Sequence, residues 1–89
     1  ESEYLYKGTE IDRYGKTSGY YGAPKGTPLE MRSLPPNNSR QYNSYLIVKP
    51  IEVKSSIAAP WFNQIGLGIQ YKFPINFEQM IQKGIIIPF

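Results

Sequence analysis

The chain has 89 residues and a net charge of +3, with neither cysteine nor histidine. This length argues for one domain spanning residues 1–89. The missing cysteine excludes disulfides and thiol catalysis, and the missing histidine removes the commonest general base and the commonest zinc ligand.

Lysines and arginines are spread singly, without a basic run. The mild positive balance therefore suits a phosphate-bearing small molecule or an acidic protein partner and argues against nucleic acid. No stretch reaches the ~18 apolar residues of a membrane span, so this domain is not expected to insert into a bilayer. The acidic and aromatic opening, Glu1 to Lys7, is not a signal peptide. A domain this small has little stability to spare for an internal cavity, so a surface cleft is the expected form of any site.

Residues Glu1 to Ile11 alternate around Tyr4 and Tyr6 and predict one short strand. Asp12 to Ser39 is dense in Gly, Pro, Ser and Asn and reads as a long irregular stretch, a type of segment that commonly carries function. Tyr42 to Lys54 is the clearest strand region, with Pro50 marking a bulge or an edge. Ile57 to Gly68 reads as a second ordered loop, and Ile69 to Phe73 as another strand. Asn76 is a credible N-cap for a helix over Phe77 to Lys83, stopped by Gly84. Gly84 to Phe89 is apolar and β-branched and predicts a last strand that ends on the core. The expected fold class is α+β, mostly β: a compact antiparallel sheet with long N-terminal loops and one short C-terminal helix.

Three segments carry candidate chemistry. The first is Asp12-Arg13-Tyr14-Gly15, followed by Gly26-Thr27-Pro28 and Arg32-Ser33-Leu34-Pro35-Pro36; the second is Tyr42 to Pro50. The third is Ala59-Pro60-Trp61-Phe62, leading to Gly66-Leu67-Gly68-Ile69-Gln70-Tyr71. Arginine offers a forked, permanently charged donor pair to phosphate, and a neighbouring aromatic ring can stack on a flat base. Glycines permit close approach of a ligand to backbone, although Gly66-x-Gly68 is too short for a dinucleotide fingerprint. The set suits a planar, phosphate-bearing ligand. Against it stand plainer roles: Asp12 as a turn or backbone-binding residue, Trp61 and Phe62 as core or loop anchors, and Glu30 as a surface charge.

In this order, Asp-Arg-Tyr-Gly, Gly-Thr-Pro, Arg-Ser-Leu-Pro-Pro, Tyr-x-x-Tyr-x-x-Val-Lys-Pro, Pro-Trp-Phe, Gly-x-Gly-Ile-Gln-Tyr and a final Lys-Gly resemble the tuberculosis necrotizing toxin family over about Gly8 to Gly84. Related domains occur in fungal surface NADases and at the C-termini of bacterial polymorphic toxins. The resemblance implies hydrolysis of NAD or NADP to nicotinamide and ADP-ribose on a compact antiparallel β fold. The dinucleotide is then the substrate, and neither a cofactor nor a metal is called for.

Carried over by position, Arg13 and Tyr14 match an arginine–aromatic pair of the cleft, with Tyr14 on the nicotinamide side. Arg32 matches a second cleft arginine, and Gln70 a glutamine beside the scissile bond. Both arginines are expected on the pyrophosphate, and Arg32 and Gln70 are the expected catalytic pair. Two positions depart from the family pattern: Asn43 where many members carry His, and Ile65 where Pro is usual. Asn43 and Glu30 remain possible assisting groups. The resemblance also implies export as part of a larger secreted protein, action in a target-cell cytoplasm, and a cognate immunity protein. The alternatives are an ADP-ribosyltransferase-type toxin and a non-enzymatic basic β module.

With no His or Cys, no side chain titrates near neutrality unless its pKa is displaced. Turnover on NAD should therefore stay nearly flat from about pH 6 to about pH 8.5, between the ordinary carboxylate and tyrosine ranges. Asn43→His should add a limb near ~6.5. A pH–rate profile of both proteins checks this, and a steep acid limb near ~6 in the natural chain would contradict it.

Overall fold

Buried and exposed residues alternate most clearly over residues 51–54, Ile-Glu-Val-Lys. The computed structural model describes residues 1–35 and 41–89. Among them run β1 (Ser2–Leu5), β2 (Glu10–Tyr14), β3 (Tyr21–Pro24), β4 (Tyr42–Ile47), β5 (Ile51–Ile57), β6 (Ile69–Lys72), α1 (Phe77–Gln82) and β7 (Ile86–Pro88), with a single 3-10 turn at Leu29–Met31. The strands form one sheet in the order β1-β5-β6-β3-β2-β4-β7, and every pairing is antiparallel. The expected mostly-β fold with one short helix is the one observed.

Side chains alternate between the faces of a strand. The register puts Ile11, Tyr45, Ile47, Val53 and Tyr71 on one face and Asp12, Tyr14, Tyr21, Gln70 and Lys72 on the other. The first face is the core. Helix α1 covers it with Phe77 and Met80, both fully buried. Phe77 meets Phe73 edge-on at 5.1 Å and Tyr45 at 5.3 Å between centroids. The second face carries the cleft described below.

Strand β3 joins the two halves of the sheet. Tyr21 and Gly22 pair with β6, whereas Ala23 and Pro24 pair with β2. Gly22 sits at this change of partner. A Cβ there would lie 3.0 Å from the Phe77 ring and 3.1 Å from the Asp12 carbonyl oxygen, so a side chain at the crossing would press on both.

Several expectations change. The single strand over Glu1 to Ile11 is in fact β1 and the start of β2, separated by a turn in which Gly8 has φ 96° and Thr9 N–H donates to the Tyr6 carbonyl at 3.0 Å. The stretch Asp12 to Ser39 is less irregular than its composition suggests, because β2 continues through Tyr14 and β3 lies inside it. Pairing on both sides overrides the weak strand preference of Gly22 and Pro24. Pro36 and Ser39 fall outside the described residues.

Tyr42 to Lys54 divides into β4 and β5, and Pro50 lies in the corner between them instead of at a bulge or an edge. The last strand reaches the core only through Ile86; Ile87 and Phe89 are 43% and 60% exposed.

Helix α1 starts where the sequence placed it. Asn76 Oδ1 accepts from the Gln79 backbone N–H at 2.8 Å, and Gln79 Oε1 accepts from the Asn76 N–H at 3.0 Å. This reciprocal box satisfies two amides that a helix otherwise leaves open. Lys83 is the C-cap, so the helix ends one residue before the expected limit. Asn76→Ala should lower unfolding free energy by about 1 kcal/mol. Equilibrium denaturation measures it, and an unchanged midpoint would show that tertiary packing alone fixes α1.

Candidate active site

The site is built around a buried charge. Asp12 has no exposed surface although it lies on the cleft face of β2. An unpartnered carboxylate in such a place would cost several kcal/mol. Its Oδ2 accepts from the Gly26 N–H at 2.9 Å and from the Tyr42 hydroxyl at 2.8 Å. Its Oδ1 lies 2.7 Å from Arg32 Nη2, in an ion pair whose arginine side chain is 7% exposed. Three chain segments thus meet on one carboxylate: β2, β4 and the loop that follows β3.

Arg32 is fixed from other sides as well. Its Nε donates to the Thr27 carbonyl at 3.0 Å, and its guanidinium stands 4.8 Å above the centre of the Tyr14 ring. Tyr14 in turn packs on Tyr42 at 4.8 Å. Burial and then the hydrogen bond to Asp12 push the Tyr42 hydroxyl up to about 12.

The pinned loop forms one wall of a cleft of about 270 Å³ over the β2–β3–β6 face. Tyr14, Tyr21 and Ala23 line it from the sheet, Ser33 and Leu34 from the loop, and Gln70 from β6. A shallower depression of about 220 Å³ continues past Gln70 to Trp61 and Phe62. Arg32, Ser33, Ala58 and Gln70 border both.

The cleft brings together Arg13, Tyr14, Arg32 and Gln70, four residues singled out from the sequence. Their states differ. The Arg13 guanidinium donates from Nε to the Lys16 carbonyl at 2.9 Å and from Nη1 to the Tyr21 carbonyl at 2.8 Å. It lies against Gly19 and 5.7 Å from the Phe77 ring centre. Burial pulls its basicity below the ordinary guanidinium value, opposed by the charge interaction with Tyr45. Arg13 therefore staples the turn that presents Tyr21. Gln70, by contrast, is half-buried, and its side-chain amide bonds to no described residue.

Glu30 and Asn43 do not reach the wall. Glu30 is exposed on the 3-10 turn, where its carbonyl accepts from the Gly66 N–H at 3.0 Å. Asn43 lies opposite Arg13 in the β2–β4 register, on the core face. Asp12 does bind backbone, as expected, through the Gly26 amide.

Trp61 and Phe62 are not core anchors: they are 59% and 43% exposed, because the loop turns their rings outward. The glycines before β6 serve the protein's own packing. Gly68 donates to the Met31 carbonyl at 3.0 Å, and a Cβ there would lie 2.8 Å from that oxygen. Tyr21 was not singled out from the sequence. Its signal was alternation through Tyr21, Gly22 and Ala23, hidden by the glycine and by Pro24.

The fold and cleft define a small antiparallel β domain with a two-part surface groove, bordered in both parts by the pinned Arg32 and by Gln70. The chain belongs to the tuberculosis necrotizing toxin family, whose family model matches residues 4–88. A curated relative, the conidial surface nicotinamide adenine dinucleotide glycohydrolase nadA of Aspergillus fumigatus, is 34% identical over 87 residues, covering 89% of this chain and 37% of its own length.

Among solved structures, tuberculosis necrotizing toxin complexed with its immunity factor IFT superposes with a TM-score of 0.73 at 22% identity, over 97% of this chain and 54% of that one. Tse6 in complex with Tsi6 gives 0.64 at 23% identity, over 100% and 70%. These two likenesses establish a shared fold. The chain thus spans little more than a third of the curated relative and about half of the first structure.

Arg32→Ala would strand the Asp12 carboxylate. It should cost about 3–5 kcal/mol of stability, the scale for removing one partner of a buried pair. Thermal and urea unfolding check this. A loss below about 1 kcal/mol, the surface-pair scale, would mean that the Tyr42 and Gly26 bonds hold Asp12 unaided.

Proposed function

We propose that the domain hydrolyses the nicotinamide–ribose bond of NAD or NADP, giving nicotinamide and ADP-ribose. The observation that carries this reading is the Gln70 amide, which bonds to none of the described residues and lies on the wall common to both parts of the groove. Family membership and the NAD glycohydrolase named among its relatives support it.

The chemistry suits a site without a neutral-range acid or base. Nicotinamide departs as a neutral molecule from a cationic linkage, so nothing need protonate it. The barrier is an oxocarbenium-like ribose, stabilised by oriented dipoles and by positioning. Gln70 is the proposed catalytic group, with its carbonyl oxygen directed at that developing charge or its amide on the ribose hydroxyls. Water then bonds to the anomeric carbon and loses a proton to solvent. Arg32 is the proposed second catalytic residue and also binds substrate. With Nε and Nη2 engaged internally, it offers Nη1 to the dinucleotide as a fixed cation. Arg13 contributes to substrate binding through the turn it holds, and Tyr14 through its ring edge. No metal or further cofactor is required.

An ADP-ribosyltransferase would want a carboxylate near the ribose, and Glu30 is the loop carboxylate the sequence offered. Its exposed place on the 3-10 turn disfavours that reading. In the organism, the domain would be one toxin unit of a larger exported protein and act in the cytoplasm of a target cell. A cognate immunity protein would protect the producer by covering the basic groove with acidic or aromatic side chains.

Incubation with NAD in excess chelator tests the proposal. Release of free nicotinamide supports it; modified protein points to a transferase, and no reaction to a binding module. Gln70→Ala should lower kcat by roughly 10²–10³, the scale for losing one preorganised dipole, with much less change in KM. Equal losses in both would reduce Gln70 to a positioning residue.

A further inference from the structure

The shallower half of the groove ends on an aromatic edge that the hydrolytic chemistry does not use. Trp61 and Phe62 meet edge-on, with centroids 5.5 Å apart and planes at 67°. Both border the depression that also touches Gln70 and Arg32. Their exposure means that burial in the core does not account for them.

The loop holds these rings at a conformational cost. Phe62 and Asn63 have φ of 52° and 60°, left-handed backbone that non-glycine residues rarely adopt. It is nevertheless tied down. Gln64 donates through its backbone N–H to the Trp61 carbonyl at 2.9 Å and through Nε2 to the Leu34 carbonyl at 2.7 Å. The Gly66 and Gly68 amides bond to Glu30 and Met31 at 3.0 Å each. Strain kept in place by such bonds, beside a cleft, is typical of a surface shaped for a ligand.

We propose that Trp61 and Phe62 form the purine subsite of the groove, taking the adenine ring while the nicotinamide ribose occupies the deeper half. The assignment rests on the dinucleotide reading above. The orientation follows from depth. An oxocarbenium-like centre gains most from dipoles where water is scarce, which is the cleft lined by Tyr14, Tyr21 and Gln70. A purine needs only a face or edge to stack on, and its affinity tolerates partial exposure. Arg32, bordering both halves, then stands between the two nucleosides, where the pyrophosphate must pass.

Trp61 is the only tryptophan in the chain, so its fluorescence reports this subsite without a label. AMP and ADP-ribose should change its emission saturably, whereas nicotinamide and nicotinamide mononucleotide should not. Trp61→Ala should raise KM for NAD about ten-fold, within the range of one lost base–aromatic contact. Its kcat should fall far less, and Trp61→Phe should restore most of the affinity. Emission that responds to nicotinamide mononucleotide and not to AMP would overturn the orientation. A natural chain that releases nicotinamide while no nucleotide alters Trp61 would overturn the subsite and leave the hydrolase reading intact, with the exposed rings then belonging to a protein-docking surface. Conversely, an AMP response without nicotinamide release would sink the hydrolase reading and keep the purine site.

Discussion

A carboxylate sealed from water must be answered by donors or the chain will not fold around it. Asp12 is answered by a backbone amide and an arginine of the loop after β3 and by a tyrosine hydroxyl of β4. None of the described apolar residues of the loop after β3 is buried, so apolar burial does not attach it. The charge does this instead, laying the loop across the sheet and fixing Arg32 over Tyr14. The wall of the cleft is thus a by-product of satisfying one buried group. Arg32 serves stability and site geometry together, and its effects on folding and on substrate are coupled.

The division of labour among the polar residues follows from where each leaves its strand. Arg13 and Tyr14 are neighbours in sequence and so point to opposite faces of β2. Tyr14 faces the groove, whereas Arg13 packs by Phe77 and spends its donors on two carbonyls. Gln70, on the groove side of β6, has no such obligations to the described residues. Strand β3 lies between the strands that carry Tyr14 and Gln70, pairing with β6 through Tyr21 and Gly22 and with β2 through Ala23 and Pro24, and both residues line the cleft over it.

Much of this was legible in the sequence where the cues are local. The cap at Asn76, the stop after Lys83 and the strand at Ile69 depend on near neighbours, and all are present within a residue or so. Strand β3 was not legible, because Gly22 and Pro24 discourage a strand on their own and are recruited by β2 and β6 from both sides. The candidate site residues were chosen by resemblance, and the resemblance says nothing about internal hydrogen bonds. That Arg13 and Arg32 are engaged depends on Lys16, Tyr21, Thr27 and Asp12, contacts that no spacing rule encodes. The outward turn of Trp61 and Phe62 was hidden for a related reason: composition favours burying such rings, and the loop's tethers override that preference.

The groove draws its sheet floor and one wall from residues 13–35 and the facing wall from residues 58–70, and the pairings that join them cross the whole chain. Neither stretch forms the groove alone. An extended polypeptide of this sequence has no site at all: Gln70 and Arg32 meet only after non-local strand pairing, the slow part of folding. Under the hydrolase reading, a producing cell holds a harmless thread as long as the domain stays unfolded. Under that same reading, activity begins only when β6 has paired and brought Gln70 beside the loop that carries Arg32.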